Sequence, residues 1–203
     1  MNNIVITIGR EYGSGGKYIG EEVAKRLDID FYDNEIIQKT YEKTDCNYSK
    51  LKQYDETRKS RLSLAAININ NTEEVFEYEK YQQLIADTIK QIADSKSCVI
   101  IGRNANNILR DKNNVINIFI YSKNKDFKIK RKIKLENISY EEVENKMKQI
   151  DKKRKNYYEY LNKGNIWGDK KAYDFCIDSS ILGIEKTIDL IVEIYKQYSL
   201  KNK

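Results

Sequence analysis

Four glycines fall within eight residues, Gly9, Gly13, Gly15 and Gly16, and Lys17 follows at once. Ahead of them Ile4 to Ile8 is a short β-branched run suited to a buried strand. Behind them Ile19, Val23, Ala24 and Leu27 recur at helical spacing. Strand, glycine turn, lysine and helix is the order of a phosphate cradle. The glycines, with Ser14 among them, let successive backbone N–H groups turn inward onto an anion. The helix N-terminus adds partial positive charge, and Lys17 brings a mobile full charge to the outer phosphates. The match to the pattern G-x-x-x-x-G-K-[ST] is incomplete. Glu11 stands where the first glycine belongs, and Tyr18 where a hydroxyl residue would face magnesium. A strand-to-helix turn that uses glycine only for backbone freedom is the alternative reading.

Other residues join this set. Gly102-Arg103 follows the apolar run Ser97 to Ile101, and the edge after a strand is where open α/β sheets bind ligands. A planar guanidinium there suits a phosphate, although a helix-start arginine facing solvent reads the same way. Asp33 closes the stretch Asp28 to Asp33, either as the cap of the next helix or as a substrate contact. Arg131 sits among lysines in a helix expected from about Asn124 to Leu135, and Asp151 and Arg154, three apart, share a helix face.

Composition narrows the chemistry. Histidine is absent, which excludes imidazole bases, histidine-ligated metals and Ser–His or Cys–His pairs. Cys46, Cys98 and Cys176 are odd in number and set in unlike contexts, against a disulfide framework or zinc site and for a reducing compartment. The expected location is the cytoplasm: no apolar stretch is long enough for a membrane, and no signal peptide is expected. The net charge of +6 points to anionic partners, but a skew toward Lys, Asn, Ile and Tyr weakens that inference.

The elements that must position these residues alternate strand and helix. A helix from Asn34 to about Thr44 follows the Asp33 stretch. Residues 47–95 read as mostly helical, with an apolar patch from Leu62 to Ile69, Tyr54, Arg58 and Arg61 on its polar side, and a long helix from Glu73. In that helix Val75, Phe76, Leu84, Ile85, Ile89 and Ile92 are the expected buried positions. Val115 to Tyr121 is a third strand, Ser139-Tyr140-Glu141-Glu142 a capping box opening a helix that continues to Tyr158, and Tyr173 to Ile177 a further strand. A helix from about Gly183 to Tyr198 closes the chain. This alternation predicts a parallel sheet covered on both faces.

Taken in order, these stations resemble the cytidylate kinase-like P-loop proteins related to bacterial cytidylate kinase, from Ile4 to about Ile194. The carriers are Ile6-Thr7-Ile8 into the Gly13–Lys17 loop, Phe31-Tyr32-Asp33, Val99-Ile100-Ile101-Gly102-Arg103, Asp151-x-x-Arg154, and Tyr173-Asp174-Phe175-Cys176-Ile177-Asp178-Ser179-Ser180. The resemblance implies one domain over 1–203, a P-loop NTPase-type three-layer α/β/α fold with a five-stranded parallel sheet. Its core would be about 1–46 and 97–203, its helical monophosphate-binding region about 47–95 and its lid about 147–170. It implies ATP and Mg2+, with CMP or dCMP as the first acceptor to test. By position, Gly13, Ser14, Gly15, Gly16 and Lys17 would hold the donor phosphates, and Arg103 the acceptor's phosphate beside Asp33. Arg131, Asp151 and Arg154 would serve the lid and the transfer.

Three departures accompany the resemblance. Tyr18 leaves the magnesium site incomplete, with Ser14 a possible substitute. Met147 stands where a further lid arginine is usual, with Lys148 beside it. Residues 47–72 carry no recognisable base contact. The alternative is therefore a catalytically weak or inactive nucleotide-binding protein acting as a sensor or partner module. A nucleic-acid binder using the lysine-rich stretch 123–134 ranks last, and neither nucleic acid nor membrane is expected as a partner. Monomer and homodimer stay open.

Overall fold

A computed structural model describes residues 3–33, 36 and 72–201 of the 203. Apart from Ile36, the expected helix 34–44 lies outside the described residues. So do Cys46, Tyr54, Arg58, Arg61 and the patch from Leu62 to Ile69.

Five strands pair in parallel in the order β2-β3-β1-β4-β5. They are β1 (Val5–Arg10), β2 (Asp30–Tyr32), β3 (Cys98–Ile101), β4 (Val115–Tyr121) and β5 (Phe175–Asp178). The central strand, β1, lies with Ile6 opposite Val99 on one side and Ile116 on the other. A sheet covered on both faces needs strands apolar on both, which is why β1, β3 and most of β4 read as continuous runs rather than alternating ones. On one face Ile6 and Ile8 pack with Ile19 and Val23 of α1 (Gly16–Leu27) and with Ile188 and Ile191 of the closing helix. On the other, Val5 and Ile100 pack with Ile85 and Ile89 of α2 (Thr72–Ser95) and with Leu109, which caps the short α3 (Ala105–Ile108). Each of the fully buried isoleucines contributes about 1.5–3 kcal/mol.

The long helix corrects one expectation. Phe76 is 67% exposed, while Tyr78 and Tyr81 join Ile85, Ile89 and Ile92 in the core. At 100° per residue Phe76 lies half a turn away from Ile85, so only one of the two can face the sheet. After β4 come α4 (Lys125–Glu136) and α5 (Tyr140–Leu161). Asn124 caps the first of these, and both bonds of the Ser139–Glu142 capping box are made on the second. The two helices pack through Ile129 and Val143, with Met147 and Ile150 against them. A 3-10 turn (Lys170–Ala172) leads to β5, which starts two residues later than expected and ends at Asp178. The last helix, α6 (Ser179–Lys201), starts directly from that strand, four residues earlier than the spacing suggested. Gly183 at φ 77° breaks its first turn. Among the described residues no helix is long and apolar enough to cross a membrane.

Candidate functional site

The loop between β1 and α1 takes its shape from its glycines. Gly13 and Gly15 sit at φ 81° and 90°, and a side-chain carbon on Gly16 would come within 2.5 Å of the Arg10 Cβ. Gly15 precedes α1 with no side-chain cap, whereas α4 and α5 are each capped by a side chain. The first N–H groups of α1 are therefore turned to the loop, in the arrangement that receives anions. Around the loop lies a cavity of about 470 Å³, lined by the glycines together with Arg10, Lys17, Arg131, Lys132, Lys153 and Arg154. Glu11, Glu21 and Asp33 also reach it. Cations outnumber carboxylates, which suits an anionic ligand.

The lysine of the loop is held. Lys17 Nζ lies 2.7 Å from Oδ2 of Asp33, whose side chain is only 7% exposed while that of Lys17 is 57% exposed. The sheet thus brings together two residues that the sequence had set sixteen positions apart in separate roles. Ser14, the possible magnesium contact, braces the loop from within. Its hydroxyl donates to the Glu11 carbonyl at 2.8 Å and accepts the Gly16 N–H at 3.4 Å, and the residue is fully buried. Neither bond uses the second lone pair of the Ser14 oxygen. Glu11, the apparent flaw in the motif, ties the loop down: its carboxylate accepts the Ser122 N–H at 3.2 Å and Lys128 Nζ at 2.8 Å. Tyr18 is 44% exposed and lines the cavity near Arg131. Burial lowers the Arg131 guanidinium from its ordinary value, with the Tyr18 hydroxyl acting the other way. An arginine stays charged through such a shift.

Asp151 and Arg154 do share one face of α5, and that face grips the loop. Asp151 Oδ1 accepts the Tyr12 N–H at 2.7 Å and lies 3.7 Å from Arg154, whose guanidinium donates to the Arg10 carbonyl at 3.2 Å. Burial pushes the Asp151 carboxyl up, against the pull of the Tyr12 N–H and Arg154. Beside them the Tyr12 hydroxyl donates to Glu136 at 2.9 Å, and Lys132 and Lys146 pair with the same carboxylate. Burial raises the Glu136 carboxyl, but those three donors outweigh it and bring it down to about 2.

Arg103 stands elsewhere. It is 1% exposed at φ 57° and lines a second, small cavity of about 20 Å³ with Thr7, Asn104, Trp167 and Tyr173. The described residues lining that cavity include no carboxylate. The structure therefore separates Arg103 from the Lys17 cavity, yet Arg10 and Arg154 line both. Sequence reading missed Arg10, Lys132 and Lys153. Arg10 was legible as a strand-end arginine four residues before the Ser14–Gly16 turn, whereas Lys132 and Lys153 are lost among many solvated lysines.

The carboxylates at hand bear on a metal. Among the described residues no cluster of three or more acidic or cysteine side chains could cage one. Magnesium, however, keeps several waters and is commonly held by one or two carboxylates plus substrate phosphates. Asp33 at the cavity wall fits that lesser role.

This strand order, with a glycine loop and lysine at the end of its central strand, defines a P-loop kinase-type fold. Residues 5–181 match the cytidylate kinase-like family, and the chain belongs to that family. The crystal structure of an uncharacterized protein from Eubacterium ventriosum is similar at 28% identity and a TM-score of 0.70, covering 96% of this chain and 99% of that one. Shikimate kinase from Bacteroides thetaiotaomicron is similar in fold at 13% identity and a TM-score of 0.52, covering 95% and 98%. No curated protein matches the chain. Fold and family are those of small-molecule kinases.

Proposed function

We propose that the chain transfers a phosphoryl group from ATP to a nucleoside monophosphate, with CMP or dCMP the first acceptor to test. The observation that carries this reading is the junction of two cationic cavities, one around the glycine loop and one around Arg103, across Arg10 and Arg154. A phosphorylated acceptor needs a second cationic pocket of this kind; an acceptor that offers only a hydroxyl does not.

In this reading Gly13, Ser14, Gly15 and Gly16 hold the donor phosphates through backbone N–H groups, with the Ser14 hydroxyl bracing the loop. Lys17 exchanges its pairing with Asp33 for the outer phosphates, which releases Asp33 toward the acceptor side and toward magnesium. The bound metal offsets the charge that builds up on the phosphates. Arg103 grips the acceptor's phosphate, Arg131 and Arg154 stabilise the group in transfer, and Asp151 positions Arg154 while fastening the loop. The chemistry asks for placement and positive charge rather than a proton carrier, which a chain without histidine can supply. Residues 147–170 act as the lid, residues 47–95 as the acceptor-binding region, and the cytoplasm supplies the ATP.

The test is coupled phosphoryl transfer from ATP-Mg to CMP, dCMP, UMP and AMP. Turnover with at least one, abolished in Lys17→Ala, is expected. No turnover with any, together with unchanged ATP binding in Lys17→Ala, refutes the reading. A second reading, nucleotide binding without catalysis, draws on Tyr18 and on Met147, which packs against the Ile129–Val143 cluster rather than offering a charge. Tight binding by calorimetry with no turnover would favour it.

A further inference from the structure

We infer that Arg10 is a further catalytic residue, whose guanidinium contacts the phosphoryl group as it passes between the two cavities. The inference rests on the transfer reading above. Arg10 is the last residue of β1, so the strand that feeds the loop also aims it, and its backbone is paired to Ile120. The side chain is 6% exposed. Together with Arg154 it is shared between the lining of the Lys17 cavity and that of the Arg103 cavity. In the transfer reading, a group moving from one to the other passes beside these two residues.

Two further observations place Arg10 in the transfer. Gly16 leaves the space that the Arg10 stem occupies, since a side-chain carbon there would lie 2.5 Å from Cβ and 3.2 Å from Cγ. The glycine requirement at the lysine's neighbour is thus partly a requirement for Arg10. Arg154 in turn donates to the Arg10 carbonyl at 3.2 Å, so the strand arginine and the α5 arginine are set in one unit. Met147, where the resemblance expects an arginine from the lid, packs with the apolar cluster of α4 and α5 instead. Arg10 brings an equivalent charge from the rigid sheet.

In the transfer, an oxygen of the acceptor's phosphate forms a bond to the γ-phosphorus as the bond from that phosphorus to the bridging oxygen breaks. The electron pair leaves on the β-phosphate, and a dianionic acceptor gives up no proton. Negative charge on the γ-oxygens in transit is what a planar, bidentate guanidinium can share and an ammonium shares less well.

The experiment uses the full chain and Trp167, its one tryptophan, which lines the Arg103 cavity and so reports on it by fluorescence. Wild type, Arg10→Ala and Arg10→Lys are titrated with ADP-Mg alone and with ADP-Mg plus aluminium fluoride, a mimic of the group in flight. Urea midpoints are measured alongside. Arg10→Ala is expected to weaken the fluoride complex at least about a hundredfold while leaving ADP within about threefold, with Arg10→Lys recovering only part of the loss. Where CMP turns over, kcat falls by a similar factor with little change in KM. Equal affinity of wild type and Arg10→Ala for the fluoride complex overturns the inference, as does full rescue by lysine. Should Arg10→Ala fail to fold, Arg10→Lys decides alone. A fluoride effect without turnover on any acceptor sinks the choice of acceptor and leaves Arg10 standing. Absence of fluoride-complex binding in wild type sinks both.

Discussion

Replacing Gly13 by alanine tests the shape of the loop, and Gly164 supplies its control. Both glycines sit in the left-handed region, at φ 81° and 90°. Alanine there costs about 1–2 kcal/mol of backbone strain. Alanine also lowers the entropy of the unfolded chain, worth about 0.4–1 kcal/mol at either position, so both effects largely cancel in the comparison. What differs is space. A carbon on Gly164 meets nothing within 4 Å, whereas one on Gly13 would lie 2.8 Å from Lys128 Cβ, 3.1 Å from its carbonyl oxygen and 3.2 Å from its Cα. Those are stem and backbone atoms of α4, not the free end of a chain, so relief requires the helix to move. Overpacking of this kind costs about 1–3 kcal/mol. Gly13→Ala should therefore lie below Gly164→Ala by that amount, a difference of roughly 0.5–1.5 M in urea midpoint at an unchanged slope of about 2 kcal/mol per M. It should also weaken ATP binding, which Gly164→Ala leaves alone. Equal midpoints and equal ATP affinity would refute the account of Gly13 as a close-approach glycine.

The Glu136 carboxylate, held at about 2 against an ordinary 4.5, stabilises the fold when charged. Its contribution is present above the unfolded value and is lost as pH falls through the folded one. Glu136→Gln should cost about 1–2 kcal/mol at pH 7 after allowance for solvent screening, with the gap to wild type closing between about pH 5 and 2 in denaturation curves. A gap that stays constant over that range contradicts it. Ser139→Ala removes the hydroxyl that accepts the Glu142 N–H and should lower stability by about 1 kcal/mol, read from urea midpoints. Asp151→Ala leaves the buried Tyr12 N–H and Arg154 without this carboxylate and should cost about 1–3 kcal/mol; an unchanged midpoint would remove Asp151 as the fastener of the loop. Cys98, buried in the sheet with its thiol pushed up to about 12 by burial, should resist iodoacetamide at pH 8 until urea unfolds the chain, as mass spectrometry of the labelled peptide would show.

The fold was legible wherever one period governed a stretch. Apolar runs marked β1, β3 and β4, and Ser139 with Glu142 announced α5 by capping chemistry that the structure reproduces bond for bond. Phe76 misled because hydrophobicity was counted without its phase, and the tyrosines that replace it in the core look polar in a list of residues. The start of α6 was hidden because Asp178 ends a strand and, with its carboxylate accepting from the Ser180 N–H and hydroxyl, also orders the helix start. In the site, Lys17 and the Asp151–Arg154 pair were visible from motif and spacing, but their partners in distant segments were not. Lys17 meets Asp33, and Arg154 meets the carbonyl of Arg10, through contacts between distant segments that no local pattern encodes. Glu11 looked like a defect because its partners, Ser122 and Lys128, are more than a hundred residues away.

One bond made late in the chain completes the fastening of the loop. The Ser179 hydroxyl donates to the Ser14 carbonyl at 2.7 Å across 165 residues, and Ile184 lies against Gly15. At a synthesis rate of about 5–20 residues per second, Ser179 is added roughly 10–30 s after Ser14. Through that interval the nascent chain carries the complete glycine motif without the residues that close it. The segment translated first gains its last fastening only when α6 arrives.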